Sequence, residues 1–234
     1  MCLERLIPDQ ELPHSPHWWV RAICFNLCQL AVVLLGGVFW DSYLQRVHLF
    51  DLSSLVNNEV LQGLYGYGVS TFVYYWWHRF RHQSDVLWLG LHQVHHSPVR
   101  IEAITSFYKH PVELIANSLL SGLISYTLLG LDIAGAGWVT VFSALGEFFY
   151  HMNVATPRWV GFFLQRPEMH RIHHERNVHQ SNYGDLPIWD MMFGTYRNPP
   201  TYDGPCGFDE PRESMVASML LFRDVNARTE GDRG

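Results

Sequence analysis

The chain carries 14 histidines in 234 residues, and their spacing is what could do chemistry. His78 and His82 stand in HRFRH, His92, His95 and His96 in HQVHH, and His170, His173 and His174 in HRIHH. On a helix, residues three and four apart share a face, so each H-x-x-H-H can bring three imidazoles together. His151 precedes the third cluster and His179 follows it. Such a set is too large for one metal, since a structural zinc takes four ligands and a catalytic zinc three plus water. Two metals with about five nitrogens each would use it and leave positions open for a small molecule. Imidazole suits iron, zinc, copper and nickel alike, so spacing indicates a di-metal site without naming the metal. His14, His17 and His48 read as ordinary surface residues. His110, just before Pro111, reads as a helix cap or a group that orients a ligand.

Helical segments must carry these clusters to a common place. Residues 18–40 are almost wholly apolar, broken by Arg21, Asn26 and Gln29, and can cross about 30 Å of hydrocarbon. A second span is expected over 60–77, ending in Tyr74, Tyr75, Trp76 and Trp77, which read as an interfacial aromatic belt. Residues 78–111 are polar and rich in His and Arg. Pro111 suits a first helical position, where its missing N–H needs no partner, and opens a third apolar stretch that ends near 129. Gly130 to Gly137 reads as a short turn, and a fourth span reaches Tyr150.

Four spans place residues 1–17, 78–111 and 151–234 on one side and the loops 41–58 and 130–136 on the other. Of the 16 lysines and arginines, only Arg46 then falls on the second side. The positive-inside rule puts both termini and every clustered histidine in the cytoplasm, in a bacterial inner membrane or the endoplasmic reticulum. The expected fold is an all-α integral membrane protein of about four transmembrane helices with a cytoplasmic histidine-rich helical cap. Its parts are a cytoplasmic N-terminal segment 1–17, a membrane domain 18–224 with histidine clusters within 78–96 and 151–179, and a flexible tail 225–234.

Composition agrees. Charged residues are 16% and aromatic residues 15%, against about 25% charged in soluble domains. A net charge of −6 without a basic block excludes nucleic acid as a partner. Cys2, Cys24, Cys28 and Cys206 form no Cys-x-x-Cys, so neither a zinc ribbon nor a redox pair is indicated. Cys24 and Cys28 read as small buried hydrophobes. No basic region precedes the first apolar run, so a cleaved signal peptide is not expected.

The three clusters, in this order and between apolar hairpins, resemble the fatty acid hydroxylase superfamily, which includes the sterol desaturases. The resemblance continues after His179 through Asn182–Tyr183–Gly184, Trp189–Asp190 and FGTY at 193–196, and covers about residues 60–200. It implies a membrane enzyme with two iron ions held by histidines, using O2 and external electrons to hydroxylate or desaturate a lipid C–H bond. By position it implies His78, His82, His92, His95, His96, His170, His173 and His174 as ligands, joined by His151 and His179. Asn182, Tyr183 and Asp190 would lie in a polar loop beneath the metals. No haem-binding or G-x-G-x-x-G pattern is present, since Gly63, Gly66 and Gly68 do not form one. A ferredoxin or a cytochrome b5-type protein with its reductase is therefore the expected donor.

Glu147 and Asn153 are further candidates for orienting imidazoles. Glu168 and Glu175 read as solvated surface carboxylates. Two other classes compete. A membrane zinc hydrolase wants a Glu inside a His pair, as in H-E-x-x-H, and none is found. A metal transporter or sensor places its site near the bilayer midplane, whereas these clusters stand at span ends.

Overall fold

The computed structural model describes residues 2–178 and 180–227. Among them every regular element is helical, and the only strand-like contact is an isolated bridge between Glu175 and Cys206. Helix α1 is Cys2–Leu6, α2 is Trp18–Leu44 with a π-helical stretch at Gly37–Asp41, α3 is Leu52–Leu55 and α4 is Glu59–Gln83. Helix α5 runs through Asp85–Leu87, a π stretch Trp88–His92 and Gln93–His96. Helix α6 is Pro111–Gly122 continued as a π stretch Leu123–Leu128, and α7 is Ile133–His151. Short helices α8 (Pro167–His173), α9 (Pro187–Phe193) and α10 (Val216–Leu220) follow.

Two helices, α2 and α7, are long and apolar enough to cross a membrane by length and composition. On α2 the side chains of Val20, Leu27, Leu34 and Val38 are exposed, the outward apolar face expected of a lipid-facing helix. Cys24 is exposed on it too and Cys28 half-exposed, not buried as expected, because the inward face of α2 is taken by Trp18, Ala22 and Phe25.

Helices α4 and α7 pack at very close range. A Cβ on Gly63 would meet Trp138 Cβ at 2.3 Å, and one on Gly135 would meet Gln62 Oε1 at 2.4 Å. Small residues at such contacts let helix backbones approach. This corrects the expected turn at 130–137. Only Gly130, with φ +61°, serves the turn. Asp132 caps α7 by accepting from the Gly135 N–H at 2.7 Å, so Gly135 and Gly137 lie inside the helix. The aromatic run at 74–77 is also not an outer belt. Tyr74 donates to the Asn117 carbonyl at 2.6 Å and Trp77 to the Asn117 side chain at 2.8 Å, while Tyr75 is buried against Phe193. These rings lock α4 to α6 and α9.

At the histidine end, Trp18, Phe25, Val94, Tyr108, Phe208, Met219 and Val225 form one core that grips α5 from both sides. The N-terminal segment is clasped to the same end. Glu4 accepts from the Ala103 and Asn153 N–H groups at 2.7 and 2.9 Å, and Asp9 pairs with Arg171.

Candidate metal centre

Four elements converge their imidazoles at one end of the bundle. The last turn of α4 brings His78 and His82, α5 brings His92, His95 and His96, the end of α7 brings His151, and α8 with its C-cap brings His170, His173 and His174. They divide into two groups whose ligand atoms lie within 4.8 Å of one another: His78, His82, His92, His96 and His173, and His95, His151, His170 and His174. The three imidazoles of each H-x-x-H-H therefore do not meet at one point. The i and i+4 members of HQVHH serve the first group and its i+3 member the second; in HRIHH the assignment is reversed. Each motif staples both sites, because its i+3 and i+4 members are successive residues, about 100° apart around the helix. The π stretch ending at His92 adds to this rotation, a local rearrangement common at functional sites. His179 lies outside the described residues.

Main-chain acceptors set the tautomers. The Nδ1–H of His78 donates to the Tyr183 carbonyl at 2.8 Å, that of His173 to Ser181 at 2.7 Å, that of His151 to Glu147 at 2.8 Å and that of His95 to Tyr108 at 3.4 Å. A carbonyl can only accept, so in each ring the Nε2 lone pair is left to face the group. His78 and His92 Nε2 are 3.0 Å apart, His151 and His170 Nε2 3.0 Å, and His170 and His174 Nε2 3.1 Å. Imidazole–metal bonds of about 2.1 Å put neighbouring octahedral ligands roughly 3.0 Å apart. Burial holds His92, His95 and His170 well below the usual imidazole range, which keeps them neutral and able to donate a lone pair. The donor set thus fits two transition-metal ions.

The groups behind the imidazoles are only partly those expected. Glu147 holds His151 through its main chain, while its carboxylate takes Lys109 at 2.6 Å. Asn153 bonds Gln10 and Arg171 and ties down the N-terminal segment. His110 caps α6, accepting from the Val112 N–H at 3.1 Å. Asp190 accepts from the Tyr183 and Gly184 N–H groups and from Thr195, which turns the Tyr183 carbonyl onto His78. The Asn182 carbonyl accepts from Gln165, whose side-chain amide also reaches His170 Nδ1 at 3.0 Å. Glu168 is not a solvated carboxylate. It is buried and takes Thr156 and Arg166, at 2.7 and 3.0 Å. Two residues were missed: Gln165, and Glu113, buried beside His92 Nδ1 at 3.1 Å and paired with Arg81. Glu113 had a signal, a lone acid entering an apolar run, which in such segments marks function.

A cavity of about 440 Å³ runs between α2, α4, α6 and α7 and ends at Lys109, Glu147 and Asp185. Burial, then the charge of Glu147, pushes the Asp185 carboxyl up to about 7.

Residues 63–195, more than half of the chain, match the family described as fatty acid hydroxylase. Alkylglycerol monooxygenase of Danio rerio is 36% identical over 53% of this chain and 28% of its own length. Ornithine lipid hydroxylase OlsE of Rhizobium tropici is 31% identical over 59% of this chain and 43% of its own. A very-long-chain aldehyde decarbonylase of Oryza sativa subsp. indica is 27% identical over 52% and 49%. The chain thus spans less than half the length of these relatives. No solved structure matches it significantly.

Proposed function

The chain belongs to the fatty acid hydroxylase family, and on that premise we propose that it is an integral-membrane oxidoreductase that holds two iron ions and hydroxylates a lipid C–H bond. The carrying observation is the pair of adjoining histidine groups stapled crosswise by two H-x-x-H-H motifs. The proposed ligands are those nine residues together with His179. Iron held by these residues would supply O2 activation, with electrons from a ferredoxin or a cytochrome b5-type protein with its reductase. The relatives are named for oxygen insertion into alkylglycerols and ornithine lipids, which favours hydroxylation over desaturation.

The chain's own residues provide position and dryness. Tyr183, Ser181, Glu147 and Tyr108 carbonyls fix the imidazoles, so little reorganisation is needed when charge develops. Seven of the nine imidazoles are buried, and such burial would keep water from a reactive oxidant. Incubation under 18O2 with membranes and a donor system, followed by mass spectrometry, tests the reading. Label in a new lipid alcohol is the expected result. Loss of two hydrogens without label would mean desaturation, and oxygen drawn from water without O2 would reject the oxygenase.

The same proposal makes 18–224 one membrane domain with four spans, α2, α4, α6 and α7. All four run between the histidine layer and a second layer in which Leu49 and Phe50 N–H groups bond the Thr127 and Leu128 carbonyls at 2.8 and 3.0 Å. The one-sided arginines put the histidine layer in the cytoplasm. Single cysteines report this: exposed Ser214→Cys is expected to react with an impermeant thiol reagent only after cells are opened, and exposed Ser54→Cys in intact cells. Labelling of Ser214→Cys in intact cells would overturn the topology. Cys206 is no substitute, since it is buried and its thiol is pushed up to about 12.

A further inference from the structure

The cavity between α2, α4, α6 and α7 is lined by both apolar and polar side chains, and the polar ones come from several helices. Helix α2 presents Gln29 and Asp41 to it, with Gln45 just past its end, α6 presents Ser118, Ser121 and Ser125, and α7 presents Thr140, Ser143 and Glu147. On α6 and α7 these repeat at three- and four-residue steps, so each of these two helices turns a polar stripe inward, while α2 turns apolar side chains out. Along α7 the stripe runs from Thr140 to Glu147, roughly 10 Å at 1.5 Å per residue. Polar groups in a membrane bundle face partners or a polar occupant. Several are satisfied within the protein: Ser121 meets Tyr74 at 2.9 Å and Thr140 donates to the Ala136 carbonyl at 3.2 Å. Ser70 is not. It is 3% exposed and lines the cavity, and its Oγ has no hydrogen-bond partner among the described residues. Glu147 Oε2, at the end nearest His151, is likewise buried without a partner.

The charges select the occupant. The lining carries the acids Asp41, Glu147 and Asp185, the last with its carboxyl pushed up to about 7, and the cation Lys109, which is already paired with Glu147 at 2.6 Å. A phosphate or carboxylate head entering here would meet like charge without a free cation, and like charges raise the cost of burial. Neutral hydroxyl groups, or an amine, would meet the acceptors and donors of α6 and α7.

We propose that this cavity binds the substrate of the hydroxylase by its polar part, and that the substrate is a lipid with an uncharged polyol or an amino-alcohol head rather than a free fatty acid or an anionic phospholipid. Ser70 is a specificity-determining contact to that head. The head lies along the α6 and α7 hydroxyls, and its inner end reaches Glu147, one turn of α7 before His151. The inference rests on the hydroxylase reading for the word substrate, but not for the site itself.

The test is therefore binding without turnover. Metal-loaded protein purified in detergent is titrated anaerobically, without a donor, with monododecylglycerol, dodecylamine, dodecanoate and dodecyl phosphate, and affinity is read by calorimetry. Monododecylglycerol or the amine is expected to bind at least tenfold more tightly than either anion. Ser70→Ala is expected to weaken monododecylglycerol about five- to tenfold, the loss of one buried hydrogen bond, and to leave dodecanoate unchanged. Ser143→Ala, a substitution with little risk to folding, is expected to do the same to a smaller degree. Anions binding as tightly as the neutral head, or neutral-head binding indifferent to both variants, would overturn the proposal even if 18O2 labelling succeeded. Selective binding with no oxygen incorporation would uphold this site and reject the hydroxylase.

Discussion

Alanine at His173 is expected to lower the iron content of purified protein from about two ions per chain to about one, and alanine at His151 to remove the other. The two substitutions act on different ions because the ligand atoms form separate groups, one holding His173 and the other His151. Turnover is expected to fall to background in both, since the proposed oxygenase would need both ions. His14→Ala and His48→Ala, at exposed positions outside both groups, are expected to keep both ions. Elemental analysis of iron-loaded variants decides the matter. A single zinc per chain, unchanged by either substitution, would sink the di-iron assignment.

The grouping of histidines in this candidate centre is partly legible in the sequence. The i, i+3 and i+4 spacings named eight histidines because helical geometry is local and a spacing states which residues share a face. How they divide was not legible. Whether His95 joins His92 or His151 depends on the rotation of α5 against α7 and α8, a tertiary fact, and on the π stretch over Trp88–His92, which no spacing announces. The supports behind the imidazoles were less legible still. Four of them are main-chain carbonyls, and every residue carries one, so residue type holds no signal. Glu147 and Asn153 stood near the clusters in sequence, but a helix points its side chains around a full turn, and these two point to Lys109 and to Gln10. The turn at 130–137 was misplaced for a related reason. Glycine serves both a positive φ and a close helix contact, and Gly135 serves the second. The tail after His179 was read by resemblance alone. Its physical logic appears only when Asp190 is seen holding the Tyr183 and Gly184 N–H groups.

Glu113 carries the second large effect, and it can be divided into two parts. The carboxylate is fully buried, paired with Arg81 and 3.1 Å from His92 Nδ1. Removing one partner of a buried ion pair leaves an uncompensated charge, here Arg81, at a cost of about 3–5 kcal/mol. Glu113→Ala is therefore expected to lower the thermal midpoint in detergent sharply. The carboxylate also orients His92, and loss of a group that holds a ligating imidazole costs about 10–100-fold in metal affinity. A fall in stability alone would not separate these roles. The double substitution Arg81→Met with Glu113→Leu does, because replacing a buried pair by apolar side chains of similar size is often neutral or stabilising. The double variant is expected to recover most of the thermal midpoint while the ion held by His78, His82, His92, His96 and His173 stays weakly bound. The ion at His95, His151, His170 and His174 should be unaffected, which titration with a competing chelator reads as one loose site and one tight one. If the double variant regained both stability and two tight ions, Glu113 would serve only to neutralise Arg81, and the orienting role assigned to it at His92 would be wrong.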